Sequence, residues 1–139
     1  MKLLSSSEAE TRDIGRRLGE KLKPGDIVCL YGELGSGKTV MVKGIASAFG
    51  IRERDITSAS FTIIAEYDTP VPFYHIDLYR LNNHEAAELG LQDYIGGSGI
   101  SVIEWAERAG SEIPSIHISV NFRHVSENVR EIEIEGTEL

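Results

Sequence analysis

Residues 26–39 read "DIVCLYGELGSGKT", and no other stretch limits the fold of this chain so tightly. The short apolar run Ile27 to Tyr31 fits a buried strand. It ends at a glycine-rich loop, Gly32 to Gly37, which runs straight into "KTVMVKGIASAFG", a predicted helix ending at Gly50. Gly32, Gly37, Lys38 and Thr39 meet the pattern G-x-x-x-x-G-K-[ST] in its strand–loop–helix setting. Such a loop must curl until several backbone N–H groups face one anion. Gly35 and Gly37 permit the backbone angles and the close approach. The start of the following helix adds the positive end of its dipole. Lys38 supplies a cation for the β- and γ-phosphates of a nucleoside triphosphate, and the Thr39 hydroxyl a ligand for Mg²⁺.

The remaining segments build around that unit. "SSSEAETRDIGRRLGEKLKPGD" predicts a helix, with Ser7 and Glu10 at N-cap and N3 spacing and Ile14, Leu18 and Leu22 on one face. Pro24-Gly25 is its expected stop. "FTIIAEY" and "PFYHIDLY" predict two strands joined by "DTPV". "NNHEAAELGL" predicts a short helix with a capping box from Asn82 to Glu85. "GISVIEW" predicts another buried strand. "SIHISVNF" and "VREIEIE" alternate apolar and polar residues, which predicts a solvent-faced antiparallel pair near the end; Glu131, Glu133, Glu135 and Glu138 are then a solvated strand face. The order predicts an α/β fold: a single-domain, three-layer sandwich of P-loop NTPase type over residues 1–139. Its central sheet is mostly parallel, with antiparallel strands at the C-terminal end.

Composition bounds what such a domain does. The 139 residues are 41% hydrophobic and 26% charged, ordinary for one globular unit. The net charge of −8 argues against direct, dominant binding to nucleic acid or to an anionic membrane. The single cysteine, Cys29, lies in an apolar run and cannot form an internal disulfide, so a reducing cytoplasm fits. No stretch has signal-peptide or transmembrane length.

Phosphate chemistry also needs a carboxylate to serve the metal and a group to place water. Glu104 ends the apolar strand "ISVIE"; it is either the metal-serving acid at the carboxyl edge of a parallel strand or an exposed strand-end carboxylate. Asp77 ends "FYHID" and is either a second functional acid or a structural partner of Arg80. His75 shares a strand face with Asp77, as a polar pair near the phosphates or as a satisfied structural histidine. Trp105 is expected on the face opposite Glu104, as core packing or as an aromatic wall near the nucleotide or a partner. His117 and His124 have no metal-site spacing.

The pieces "LYGELGSGKT", "VKGIASAFGI", "SASFTIIAEY", "YHIDLYRL", "LGLQDYI" and "VIEWAE", in this order and spacing, give the chain a resemblance to the bacterial TsaE (YjeE) family of small P-loop ATPases. These serve the making of threonylcarbamoyl-adenosine next to the anticodon of certain tRNAs. The resemblance runs from "SSSEAET" through "IEWAER", and the stretch after Arg108 carries no recognisable motif. It implies ATP and Mg²⁺ as ligands, with Leu34, Gly35, Ser36, Gly37, Lys38 and Thr39 wrapping the phosphates. Thr39 and Glu104 would hold the metal, Glu8 would line the nucleotide, and Asp77 would be catalytic or metal-sensing. The segment before "FTII" would act as a switch near the γ-phosphate. The family usually reads Ser-Pro-Thr there; this chain reads Ser58-Ala59-Ser60. Ser60 keeps a hydroxyl for the chemistry, while the missing proline loosens the segment. The implied partners are proteins of the threonylcarbamoyl-transferase complex, of TsaB and TsaD type, with tRNA met only through them. ATP turnover, weak in the chain alone, would drive or reset that assembly.

Two other classes stay open at this level. One is a small-molecule kinase, although no lid-sized insertion is evident and the arginines between Gly50 and Glu104 are Arg52, Arg54 and Arg80 only. The other is a nucleotide-dependent binding module that barely hydrolyses.

Overall fold

The structure, a computed structural model, describes residues 1–33, 35–56 and 63–139. Leu34, Ser60 and the Ser58-Ala59 segment lie outside the described residues. In chain order the main elements are β1 (Lys2–Ser5), α1 (Glu8–Gly19), β2 (Ile27–Tyr31), α2 (Lys38–Ser47), β3 (Ile64–Tyr67), β4 (Phe73–Asp77), α3 (Asn83–Ala87), β5 (Ile100–Glu104), β6 (Ile118–His124) and β7 (Arg130–Glu135), joined by loops and short 3₁₀ turns. Among the described residues the strands form one sheet in the order β1-β7-β6-β2-β5-β4-β3. Its centre, β6-β2-β5-β4, is parallel. The pairings of β7 with β6 and β1, and of β3 with β4, are antiparallel.

β2 sits in the middle because both of its faces are apolar and both are covered. Val28 and Leu30 join one cluster with Met41, Ile45, Val120 and Ile134 under α1 and α2. Ile27 and Cys29 join a second with Ile76, Ala86, Leu91 and Ile103 on the opposite face, beneath α3 and the turns after it. Cys29 is buried, and its thiol is pushed up to about 12 by that burial.

The C-terminal hairpin pairs antiparallel, as the sequence predicts; what the alternation does not announce is the place of its first strand in the sheet. β6 is an internal strand, the parallel neighbour of β2, with Val28 opposite Ile118 and Tyr31 opposite Asn121. Its alternation has a simple cause: Ile118, Val120 and Phe122 pack beneath the two long helices, while the second helical layer does not reach across to cover the other face. β1 was not predicted. It is four residues long and gains its backbone partners only from β7, far along the chain.

The helices begin as their capping residues predict. Ser7 Oγ accepts from the Glu10 amide at 3.1 Å at the head of α1. Asn82 and Glu85 form the reciprocal capping box of α3 at 2.8 and 3.0 Å. Both long helices end earlier than expected. α1 stops at Gly19 and tightens into i→i+3 bonds at Lys21 and Leu22, well short of Pro24-Gly25. α2 stops at Ser47, before Gly50. The two helices cross with their backbones in contact: a Cβ on Gly44 would stand 2.2 Å from the Arg12 carbonyl oxygen, and one on Gly15 2.6 Å from that of Met41. Among the described residues no helix is long and apolar enough to cross a membrane.

The parallel centre brings the carboxyl ends of β2, β4 and β5 to one edge. Leu30 lies opposite Glu104, and Glu104 opposite Asp77. This edge carries the candidate site.

Candidate active site

The loop after β2 is shaped by glycines that no other residue replaces cheaply. Gly35 and Gly37 have φ of 77° and 106°, in the left-handed region. A Cβ on Gly32 would meet both Phe122 and the Ser36 hydroxyl at 2.9 Å. Gly37 is the N-cap of α2 and has no side chain with which to cap it, so no side-chain oxygen of its own competes for the first amides of the helix.

Lys38 opens α2 and is almost wholly buried. Its Nζ donates to the Gly32 carbonyl and, at 3.3 Å, to the Glu33 carbonyl. The ammonium also lies 3.8 Å from the centroid of the Trp105 ring. Burial pulls the Lys38 pKa below its ordinary value, and the nearby Glu104, Glu107 and Asp77 work against that pull. The Ser36 hydroxyl is buried with no hydrogen-bond partner. An orphan of that kind costs about 1–3 kcal/mol, and a ligand oxygen in the loop would satisfy it.

The acids converge on the same place. Glu104 is 2% exposed, which removes the reading of an exposed strand-end carboxylate. One oxygen accepts from Thr39 Oγ1 at 3.2 Å, and the other lies 2.6 Å from His75 Nε2. His75 therefore reaches across to the neighbouring strand; its hydrogen-bond partner is Glu104, not the Asp77 that shares its face. Asp77 is 7% exposed, and its Oδ1 accepts from the Tyr79 amide at 2.9 Å. Its carboxyl is pushed up to about 6, first by burial and then by the charge of Glu104.

Trp105 meets its core-packing expectation. Its ring packs on the second core cluster, 5.0 Å from the Tyr79 ring, and also supports Lys38. Its backbone is left-handed, with φ of 58°, the one positive value at a non-glycine among the described residues. That turn swings the ring from the strand end toward the loop. Beside it, Gly32, Glu33, Glu107, Phe122 and His124 line an open pocket of about 600 Å³.

Glu8 stands in the first turn of α1, largely in solvent, 3.9 Å from Arg12. No hydrogen bond joins it to the loop among the described residues. Arg130, the first residue of β7, was not singled out from the sequence. Its guanidinium donates to the carbonyls of Ser36 at 2.9 Å and Gly35 at 3.3 Å. The alternation of "VREIEIE" marks it only as a polar residue on a strand.

Among the described residues no group of three or more His, Cys, Asp or Glu side chains forms a self-sufficient metal site. The Thr39 hydroxyl and the Glu104 carboxylate together are a partial oxygen set. That suits Mg²⁺, which usually keeps waters and takes phosphate oxygens beside one or two protein ligands.

The model for the family "Threonylcarbamoyl adenosine biosynthesis protein TsaE" matches residues 5–132. The tRNA threonylcarbamoyladenosine biosynthesis protein TsaE of Treponema pallidum is 39% identical over 135 residues, covering 96% of this chain and 99% of that protein. The protein of the same name from Bacillus subtilis is 39% identical over 124 residues, covering 88% and 77%. The crystal structure of Bacillus subtilis YdiB is similar with a TM-score of 0.79 at 35% identity, over 95% of this chain and 82% of that one. The likeness in sequence and in fold extends over nearly the whole length, and the chain belongs to the TsaE family of tRNA threonylcarbamoyladenosine biosynthesis.

Proposed function

We propose that this chain is a Mg²⁺-dependent ATP hydrolase that serves the protein machinery modifying the adenosine next to the tRNA anticodon. The observation that carries the reading is the meeting of Lys38, Thr39 and Glu104 at one loop, with Thr39 bonded to Glu104 across 65 residues of chain.

The chain's own groups divide the work. The loop amides and the start of α2 bind the phosphates. Lys38 exchanges its bonds to the Gly32 and Glu33 carbonyls for phosphate oxygens, which gives a poorly solvated cation a stronger partner. Ser36 gains a partner for its hydroxyl. Thr39 and Glu104 would hold Mg²⁺, which when bound offsets charge on the β- and γ-phosphates. His75 orients the Glu104 carboxylate from behind. Asp77 would orient the attacking water and take up its proton, a role that its register with Glu104 supports. Water oxygen bonds to the γ-phosphorus, the bond to the β–γ bridging oxygen breaks, and ADP and phosphate leave. Leu34 belongs to the phosphate-wrapping loop in this reading, Ser60 to the switch before β3, and Glu8 to the nucleotide's flank.

The partners in this reading are proteins of TsaB and TsaD type, which carry the transfer chemistry and hold the tRNA. The net charge of −8 agrees with an indirect role toward tRNA, and a buried Cys29 suits a reducing, cytoplasmic setting. The test is ATP hydrolysis by the wild type with and without those partners, beside Lys38→Ala and Glu104→Ala. Lys38→Ala is expected to lose most MgATP binding. Glu104→Ala is expected to lose hydrolysis more than binding, because the loop amides still hold the phosphates. A wild type that turns over no ATP in either setting would sink the hydrolase, and transfer of phosphate to a metabolite would replace it with a kinase.

A further inference from the structure

Arg130 is far from the loop in sequence and bonded to it in space. Its Nε donates to the Ser36 carbonyl at 2.9 Å and its Nη2 to the Gly35 carbonyl at 3.3 Å. The side chain reaches them by lying across Gly37: a Cβ built there would stand 3.6 Å from both Cδ and Nε of Arg130. The guanidinium carries donors in a fixed planar fork, which suits two successive carbonyls as no other side chain does. Among the described residues no carboxylate pairs with it.

We infer that Arg130 is a positioning residue of the phosphate loop, one that grips the outward carbonyls of Gly35 and Ser36 and thereby aims the amides on the inner edge of the same peptides. The inference rests on the reading of this loop as an ATP site. A trans peptide points its C=O and N–H in opposite directions. Holding the Ser36 carbonyl outward therefore fixes the Gly37 N–H inward. Holding the Gly35 carbonyl fixes the Ser36 N–H, which closes the turn on the Glu33 carbonyl at 3.1 Å. The grip is anchored from behind. Arg130 lies opposite His124 on β6 and opposite Ser5 on β1. Ser5 in turn bonds the Ser7 carbonyl at 2.9 Å and the Thr11 hydroxyl at 2.7 Å, at the head of α1. One side chain thus references the loop to the sheet and to the first helix, and its unneutralised charge favours an anion in the loop.

The experiment compares wild type, Lys38→Ala, Arg130→Ala and Arg130→Lys. It measures MgATP affinity by calorimetry, KM and kcat for hydrolysis, and thermal unfolding. Both Arg130 variants are expected to bind MgATP about tenfold more weakly or worse, with KM raised in step, because two hydrogen bonds from a charged donor are lost. Arg130→Lys keeps the charge but not the fork, so it is expected to fall with Arg130→Ala. Guanidinium ion, added far below denaturing concentrations, is expected to restore affinity to Arg130→Ala where sodium chloride of equal ionic strength does not; a merely structural loss has no such rescue. Affinity in Arg130→Lys within about twofold of wild type, while Lys38→Ala binds poorly, overturns the positioning role and leaves the ATP reading standing. Should Arg130→Ala fail to fold, Arg130→Lys alone decides. If Lys38→Ala binds MgATP as wild type does, the ATP reading itself fails, and this inference falls with it.

Discussion

His75 Nε2 and Glu104 Oε2 meet at 2.6 Å across neighbouring parallel strands, and both side chains are shut off from solvent. The contact fixes one oxygen of the carboxylate and leaves the other turned toward Thr39. Removing His75 leaves a buried acceptor without its partner. His75→Ala is expected to lose about 1–3 kcal/mol of stability, and His75→Gln, which keeps a donor, to lose less. Denaturant midpoints measure the first effect; a Mg²⁺ titration of hydrolysis, expected to shift to higher concentration, measures the second. Wild-type stability in His75→Ala would mean that Glu104 is held by something else.

Asp77 makes the stability of the nucleotide-free protein depend on pH in an unusual sense. Its folded pKa of about 6 lies above its ordinary 3.8. A raised carboxyl binds its proton more tightly in the folded state, so its contribution is full below about 3.8 and is lost as pH rises through 6. Asn keeps the oxygen that accepts from the Tyr79 amide and never ionises. Asp77→Asn is therefore expected to be more stable than wild type at pH 7, by up to about 3 kcal/mol, and equal to it near pH 4. Urea unfolding of both proteins across that range tests the sign. Its hydrolysis is expected to fall although its stability rises.

Trp105 is the only tryptophan and carries the Lys38 ammonium 3.8 Å from its ring centroid. A cation over an indole contributes roughly 0.5–2 kcal/mol and perturbs its emission. MgATP, by drawing Lys38 onto phosphate, is expected to change Trp105 fluorescence. Lys38→Met is expected to start from altered emission and to show no response. Calorimetric binding with unchanged fluorescence would mean that the lysine stays on the ring.

The α1–α2 crossing has no room for a methyl group at Gly44, where the obstacle is the Arg12 carbonyl at 2.2 Å and not a movable side chain. Gly44→Ala is expected to destabilise the protein by about 1–3 kcal/mol or more, despite alanine's better helix propensity. The urea midpoint reads it directly; an unchanged or higher midpoint would show that the helices can part without loss.

Much of this molecule is written locally. The loop Gly32–Thr39, the caps at Ser7 and Asn82, and the acids at the ends of β4 and β5 follow from spacing within a few residues. What sequence left open was decided by distant contacts. The four residues of β1 carry too little pattern to announce a strand, and only pairing with β7 makes them one. β6 alternates like an edge strand yet lies inside the sheet, because the helices cover it on one face only. The choice of Glu104 over Asp77 as partner of His75 depends on the parallel register of β4 and β5. Arg130 carries no motif, and its meaning lies in what β7 happens to lie beside.

The place of β7 also sets an order of events during synthesis. The loop and α2 leave the ribosome well before the strand that grips the loop, and β1 must wait for that strand before it can pair. Until β6 and β7 arrive, β2 has an open edge, and contacts so distant in sequence close slowly. A nascent chain therefore carries the glycine-rich loop before the strand that braces it, and the loop gains its Arg130 contacts only once the β6–β7 hairpin has formed.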